Sequence, residues 1–148
     1  MIVAVAVLVV AGGVVLWLRR RYVYATVTSE SMAPTLQVGD RVLVRRTPAR
    51  QVRTGDVVVI ARPPAAAPAT GWVVKRVVAG PGDPVPRDGF PALRDAGHDL
   101  VPPGCLVVLG DLGERSQDSK QLGYFRAADL LGVVPRRLVT HRPASRSR

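Results

Sequence analysis

Two residues that could cooperate in nucleophilic chemistry stand out in the chain, a serine within a loop and a lysine among valines. Ser31 lies in the stretch from Thr28 to Leu36, and Lys75 lies in the stretch from Gly71 to Val78. Of the 21 basic residues, 19 are arginine, so a lysine in apolar surroundings needs an explanation. A buried ammonium group loses its proton readily, whereas arginine stays charged. We therefore predict that Ser31 is a nucleophile and that Lys75 is its general base.

The lysine must be positioned by a strand. Side chains alternate between the two faces of a strand, so Val73, Lys75 and Val77 share one face of the predicted strand from Trp72 to Ala79. If the face that carries these valines packs against the interior of the domain, the Lys75 amine is desolvated. The sequence ends this strand at a cluster of turn residues from Gly80 to Pro84.

The residue pattern in the rest of the chain predicts a mainly β, antiparallel domain. Short β-branched runs are separated by glycine and proline, and a helical period is nearly absent after the first 21 residues. The predicted strands are Tyr22 to Thr28, Arg41 to Arg45, Val57 to Ile60, Trp72 to Ala79, Cys105 to Leu109 and an apolar segment from Leu130 to Val139 interrupted by Pro135. The predicted loops are Pro63 to Pro68, Pro84 to Pro103, with one short hairpin, and Gly110 to Gly123.

The N-terminal block predicts a membrane anchor. Ile2 to Leu18 is a run of 17 residues without a charge, and as a helix it would cover about 26 Å. This length is just enough for a single span, with Trp17 and Tyr22 near the interface. A cleaved signal peptide is disfavoured because no basic segment precedes the run and no small-x-small site follows it. We predict an anchor at 2–18, a β-rich domain at 22–140 and a disordered basic tail at 141–148.

The net charge of +10 is spread along the chain rather than concentrated in one segment. Such a balance favours anionic lipid headgroups as a partner. We expect no nucleic acid partner, because no reader motif or interleaved aromatic residues accompany the charge. Cys105 is alone, and His98 and His141 lie far apart in sequence. We therefore expect no metal site and no cofactor.

Four segments in order resemble the characteristic boxes of type I signal peptidases. They are Ser29 to Leu36, Gly55 to Val59, Lys75 to Asp83, and Gly110-Asp111 continued through Ser116 to Gly123. The preceding apolar block resembles the membrane anchor of that family. The resemblance implies a membrane-bound serine endopeptidase with a signal-peptidase-like β fold. Its expected partners are precursor proteins with small residues at the first and third positions before the cut.

The resemblance also implies a role for each matching residue. Ser31 matches the nucleophile and Lys75 the general base, while the Ser31 backbone amide and the Ser29 hydroxyl match the two oxyanion donors. Ser116 matches the serine that hydrogen-bonds the lysine amine. Asp118 matches the aspartate that holds the loops of the site together, for which we expect two partners, Arg76 and Lys120.

Several departures from the family pattern leave other functions open. Lys120 stands where the family usually has arginine, and Glu30 stands where it usually has glycine before the nucleophile. The run Gly110 to Arg115 lacks the usual asparagines, and the family's large second β domain has little room between Pro84 and Gly110. These differences would suit a dedicated maturation protease for one substrate, including a cytoplasmic one, or a membrane-anchored binding module without activity. A self-cleaving repressor shares the serine-lysine chemistry, but it would need a DNA-reading module.

The predicted orientation depends on two opposing arguments. Arg19-Arg20-Arg21 directly follows the apolar block, and the positive-inside bias would place that side, with the catalytic domain, in the cytoplasm. Signal peptidases instead work on the outer face of the plasma membrane. We give the resemblance more weight and expect a single-pass protein with an extracytoplasmic catalytic domain.

Overall fold

The computed structural model of the protein describes residues 2–63, 71–113, 116–135 and 139–140. The predicted basic tail at 141–148 and most of the loop predicted from Pro63 to Pro68 lie outside these ranges. Eight strands dominate the described part: β1 Tyr22–Thr26, β2 Arg41–Arg45, β3 Val57–Ala61, β4 Trp72–Ala79, β5 Cys105–Leu109, β6 Phe125–Arg126, β7 Leu130–Val134 and β8 Val139–Thr140. The predicted mainly β fold is confirmed.

All strand pairs are antiparallel, in the order β1, β2, β7, β3, β4, β5, β6, with β8 also paired to β2. The strand β2 alternates buried Val42 and Val44 with exposed Arg41 and Arg45, as one covered face requires. In contrast, the central strand β3 is buried from Val57 to Ile60 because both of its faces carry packed side chains.

The curved sheet separates two apolar clusters. One cluster joins β1, β2 and β3 to the loop after β1 and includes Val42, Val44 and Val59. The other lies on the face of β4 that carries Val73 and Val77, and there it meets β5 and β6. Lys75 lies between these two valines on the same face of β4, so its burial follows from strand alternation.

The N-terminal block forms the helix α1, Ile2–Arg21. Across the part of the chain that the structure describes, however, no helix is long and apolar enough to cross a membrane. The predicted single-span anchor at 2–18 is therefore not supported. The last turn of α1 consists of Arg19, Arg20 and Arg21, which leaves the apolar part of the helix at the lower limit of a span.

Two segments that lack a clear sequence pattern have defined structure. The predicted hairpin between Pro84 and Pro103 is a single antiparallel bridge from Pro84 to Leu100, and its apolar residues Phe90 and Leu93 pack with Val107 in a third cluster. The predicted loop from Gly110 to Gly123 contains a short helix, α2 Ser119–Leu122. Both segments are stabilised by contacts with β4, β5 or each other rather than by local periodicity.

Candidate active site

The loop after β1 holds Ser31 in a single 3-10 turn, Glu30–Met32, that packs against β4. Met32 and Leu36 hold the turn in place, because both are buried in the first apolar cluster. From the sequence alone, these two residues suit the walls of a substrate pocket and the packing of a core equally well. The structure makes both of them core residues, and neither is among the residues that line the cavity beside Ser31. Ser31 itself is partly exposed, as a nucleophile that meets a large substrate must be.

The amine of Lys75 is buried and hydrogen-bonded. Only 2% of this residue is exposed, and its Nζ lies 2.6 Å from the hydroxyl of Ser116, to which it donates. Burial lowers the pKa of Lys75 from 10.5 to about 8, assisted by the positive charges of Arg62 and Lys120 and opposed by Asp118. Near neutral pH a useful fraction of this amine is therefore uncharged and able to accept a proton.

One cavity brings the predicted reacting residues together. It has a volume of about 400 Å³ and is open on one side. Its walls include all three residues expected to touch the scissile bond, together with charged, polar and apolar neighbours: Ser29, Glu30, Ser31, Arg62, Val73, Lys75, Leu112 and Gln117. A nucleophilic oxygen and a neutral amine that line the same cavity can act on the same substrate bond.

The predicted oxyanion donor Ser29 lies beside the nucleophile. Its hydroxyl oxygen is 3.1 Å from that of Ser31, within hydrogen-bond distance. The backbone amide of Ser31 belongs to the first turn of the 3-10 helix, where amides have no partner inside the helix. Two donors of this kind, aimed at a developing oxyanion, would each contribute about 2.7 to 4 kcal/mol to transition-state stabilisation.

Asp118 organises the loop that carries Ser116. It is fully buried, caps the N-terminus of α2 and forms a capping box with Gln121. One carboxylate oxygen accepts from the backbone amide of Lys120 at 3.0 Å, and the other accepts from that of Gly110 at 3.1 Å. These bonds fix the segment around Ser116 against the end of β5.

The expected partners of Asp118 are only partly found. The amine of Lys120 lies 3.9 Å from the Asp118 carboxylate and donates a shorter bond, 2.8 Å, to the carbonyl of Gly113. The prediction that Arg76 pairs with Asp118 is wrong. Arg76 follows Lys75 on β4 and therefore points to the opposite face, where it binds Asp111.

The ion pair between Arg76 and Asp111 joins three parts of the site. Arg76 donates from Nε and Nη2 to the two carboxylate oxygens at 2.9 and 2.6 Å, and it thereby lowers the pKa of Asp111. The hydroxyl of Thr35, in the loop after Ser31, donates to the same carboxylate at 2.6 Å. Asp111 thus links the nucleophile loop and β4 to the segment that follows β5.

The segment after β5 also contacts the nucleophile turn through its backbone. The amide of Leu112 donates to the carbonyl of Ser31 at 3.0 Å. Gly110 packs so closely that an added Cβ would overlap the side chain of Ser116 and lie 2.6 Å from the Ser31 carbonyl oxygen. From the sequence, no individual role is predicted for Gly110, Asp111 or Thr35. Gly110 and Asp111 begin the fourth box, so the family pattern is the sequence signal that could have identified them.

No metal site competes with this arrangement in residues 2–63, 71–113, 116–135 and 139–140. In those ranges no group of three or more histidine, cysteine, aspartate or glutamate side chains could hold an ion. Around the cavity, the Ser29 and Ser31 hydroxyls lie within hydrogen-bond distance of each other, and the Lys75 amine donates to Ser116.

Comparison with known proteins gives one result that agrees with this geometry. The family described as "Signal peptidase, peptidase S26" matches residues 1–91, which is more than half of the chain and includes both Ser31 and Lys75. Ser116, Asp118 and Lys120 lie beyond the matched residues. No curated protein matches the chain. The chain belongs to the signal peptidase family, peptidase S26.

Proposed function

We propose that this protein is a serine endopeptidase that cleaves precursor proteins with a dyad of Ser31 and Lys75. The single observation that carries the proposal is the buried Lys75 amine, which lines the same cavity as Ser31 and has a lowered pKa. Membership in a family of serine peptidases gives independent support.

In the proposed reaction, neutral Lys75 removes the proton of the Ser31 hydroxyl as the serine oxygen attacks the substrate carbonyl. The Ser31 amide and the Ser29 hydroxyl bind the resulting oxyanion. Lys75 then protonates the leaving amine, which departs as the C–N bond breaks and leaves an acyl group on Ser31. Water, deprotonated by the same amine, hydrolyses this ester and regenerates the serine. Ser116 orients the amine through its hydrogen bond throughout.

A larger groove provides space for an extended substrate. It has a volume of about 760 Å³ and is lined by β1 residues Val23 to Thr26, by Trp72 of β4 and by Arg62, which also lines the cavity at Ser31. The strand β1 lies at one end of the sheet order, and edge strands accept extended peptides through backbone hydrogen bonds. We place the substrate residues that precede the cut in this groove.

We further propose that α1 associates the protein with a membrane surface. Apolar side chains are exposed along the helix, with Leu8 71% and Val9 70% exposed, and three arginines form its last turn. Arg21 lies 5.6 Å from the ring of Trp17, so a cation and an interfacial aromatic residue adjoin at the same end. The positive charge at this end of the helix favours binding to anionic phospholipids. Flotation of the full chain with anionic vesicles, and loss of flotation in high salt or with neutral vesicles, is the expected result.

The proposed activity is tested by cleavage of a labelled precursor with an Ala-x-Ala site. Purified wild-type protein should cut it after the second alanine, whereas Ser31→Ala and Lys75→Arg should each lower the rate by at least about a thousandfold, because each removes one half of the dyad. Arg50→Ala, at an exposed position in the 3-10 turn Ala49–Gln51, is the control and should retain wild-type activity. An intact precursor with wild-type protein would contradict general signal-peptide processing.

A further inference from the structure

Arg62 is a charged residue of the cleft that the serine-lysine chemistry does not require. It directly follows β3 and is partly buried, and its backbone amide donates to the carbonyl of Gly71 at 3.0 Å. Arg62 lines both the cavity that contains Ser31 and Lys75 and the larger groove along β1. Because Arg62 lines both the cavity and the groove, a peptide that lies in the groove with its scissile bond at Ser31 would run beside this residue.

The register of the β3 and β4 hairpin places Arg62 relative to the cut. Val58 of β3 pairs with Lys75, and Ala61 pairs with Trp72, so the backbone of Arg62 lies four residues beyond the level of the dyad. At about 3.3 Å per residue this separation is roughly 13 Å along the strands. Because Arg62 also lines the cavity that contains Ser31 and Lys75, part of the residue lies closer to the dyad than this. An extended substrate would bring the second to fourth residues before its cut to this region. The third residue is expected to be small, and alternate side chains share a face, which leaves the second and fourth positions for a charged side chain.

The acidic and basic residues of the cleft, Glu30 and Arg62, line different parts of it. Glu30, directly before the nucleophile, lines the smaller cavity only, whereas Arg62 lines both. The positive charge of Arg62 is close enough to Lys75 to affect the ionisation of its amine, so its field extends over the substrate path. An acidic side chain would be disfavoured beside Glu30, next to the cut, and favoured farther along the groove beside Arg62.

We propose that Arg62 is a specificity-determining residue that binds a carboxylate side chain of the substrate at the second or fourth position before the cleaved bond. The proposal rests on the proposed peptidase function and names the substrate class of that site. Guanidinium and carboxylate groups form paired, charge-assisted hydrogen bonds, and a partly desolvated groove strengthens them. The protein would therefore prefer precursors with aspartate or glutamate shortly before the cut over neutral precursors.

The test compares the full-length protein on matched peptides that contain one small-residue cleavage site. Aspartate, asparagine or lysine is placed in turn at each of the two positions, and kcat/KM is measured for each peptide. At one or more positions we expect aspartate to exceed asparagine by about tenfold or more, because asparagine keeps the shape and loses the charge. Arg62→Gln should abolish this preference, and Arg62→Glu should reverse it in favour of lysine.

Arg50→Glu is the matched control. It makes the same change of charge on the exposed 3-10 turn Ala49–Gln51, outside the two cavities, and should leave the order of the peptides unchanged. Equal rates for aspartate, asparagine and lysine peptides in the wild type would overturn the inference, as would a preference that Arg62→Glu leaves unaltered. If no peptide is cut in a Ser31-dependent manner, the proposed peptidase function itself fails.

Discussion

Lys75→Met is expected to stabilise the protein relative to wild type more at pH 7 than at pH 10.5. In the wild type the pKa of Lys75 falls from 10.5 to about 8 on burial. Between these two pH values the unfolded chain binds more protons than the folded chain does, so wild-type stability rises with pH. Below pH 8 the full cost of desolvating this amine is present, up to about 3 kcal/mol, and it disappears above pH 10.5.

Methionine removes the charge while it keeps much of the volume, so the pH-dependent cost is absent in the variant. The lost hydrogen bond to Ser116 leaves a buried hydroxyl unpaired, which costs about 1 to 3 kcal/mol, but this cost is the same at every pH. The free energy of unfolding of variant minus wild type should thus fall by about 3 kcal/mol from pH 7 to pH 10.5.

Urea unfolding followed by tryptophan fluorescence at a series of pH values measures this difference. Arg50→Met is the control, because that guanidinium lies on the exposed 3-10 turn Ala49–Gln51, outside the cavity that contains Lys75. A difference between Lys75→Met and wild type that does not change with pH would show that the amine remains charged in the folded protein. The proposed base would then be unable to accept the serine proton.

Gly110→Ala is expected to inactivate the enzyme by at least about a hundredfold while the fold is retained. The new Cβ would overlap Ser116 and lie 2.6 Å from the carbonyl oxygen of Ser31, so both must move. Gly110 has no positive φ angle, so alanine meets no backbone strain of its own there. The effect is therefore steric, and a displacement of about 1 Å in a catalytic group can lower a rate a hundredfold. Overpacking should also cost about 1 to 3 kcal/mol of stability.

Two other glycines allow the loss of activity to be separated from general destabilisation. An alanine at Gly97 would meet nothing within 4 Å, so Gly97→Ala should change neither activity nor stability. At Gly132 a Cβ would overlap the Arg45 backbone within the sheet, so Gly132→Ala should lower stability without a specific effect on kcat. If Gly110→Ala were as active as Gly97→Ala, the close packing of Gly110 against Ser116 and the Ser31 carbonyl would not be required for activity.

Much of the sheet could be predicted because strand alternation is a local property. β2, β4 and β5 begin and end at the predicted residues, since β-branched runs are bounded there by glycine, proline or charged residues. The last apolar segment divides after Val134, where proline cannot donate to the sheet. The helix α2 was missed, although Asp118 and Gln121 have the spacing of a capping box.

The partners within the site were harder to predict because they depend on tertiary packing. Alternation along β4 places Arg76 on the opposite face from Lys75, which argues against a bond to Asp118, but it does not identify Asp111 as the partner. The position of Arg62 between two cavities depends on how β1 lies relative to β3 and β4. No pattern within one segment contains that information.

The most direct test of the central claim is the pH dependence of covalent labelling at Ser31. Wild-type protein is treated with a serine-acylating agent between pH 6 and pH 10, and the modified residue is identified by peptide mass spectrometry. The account predicts a single adduct on Ser31, a rate that rises through an apparent pKa of about 8, and no labelling in Lys75→Met. Labelling of Ser31 at a rate that is independent of pH and of Lys75, or labelling elsewhere in place of Ser31, would contradict it.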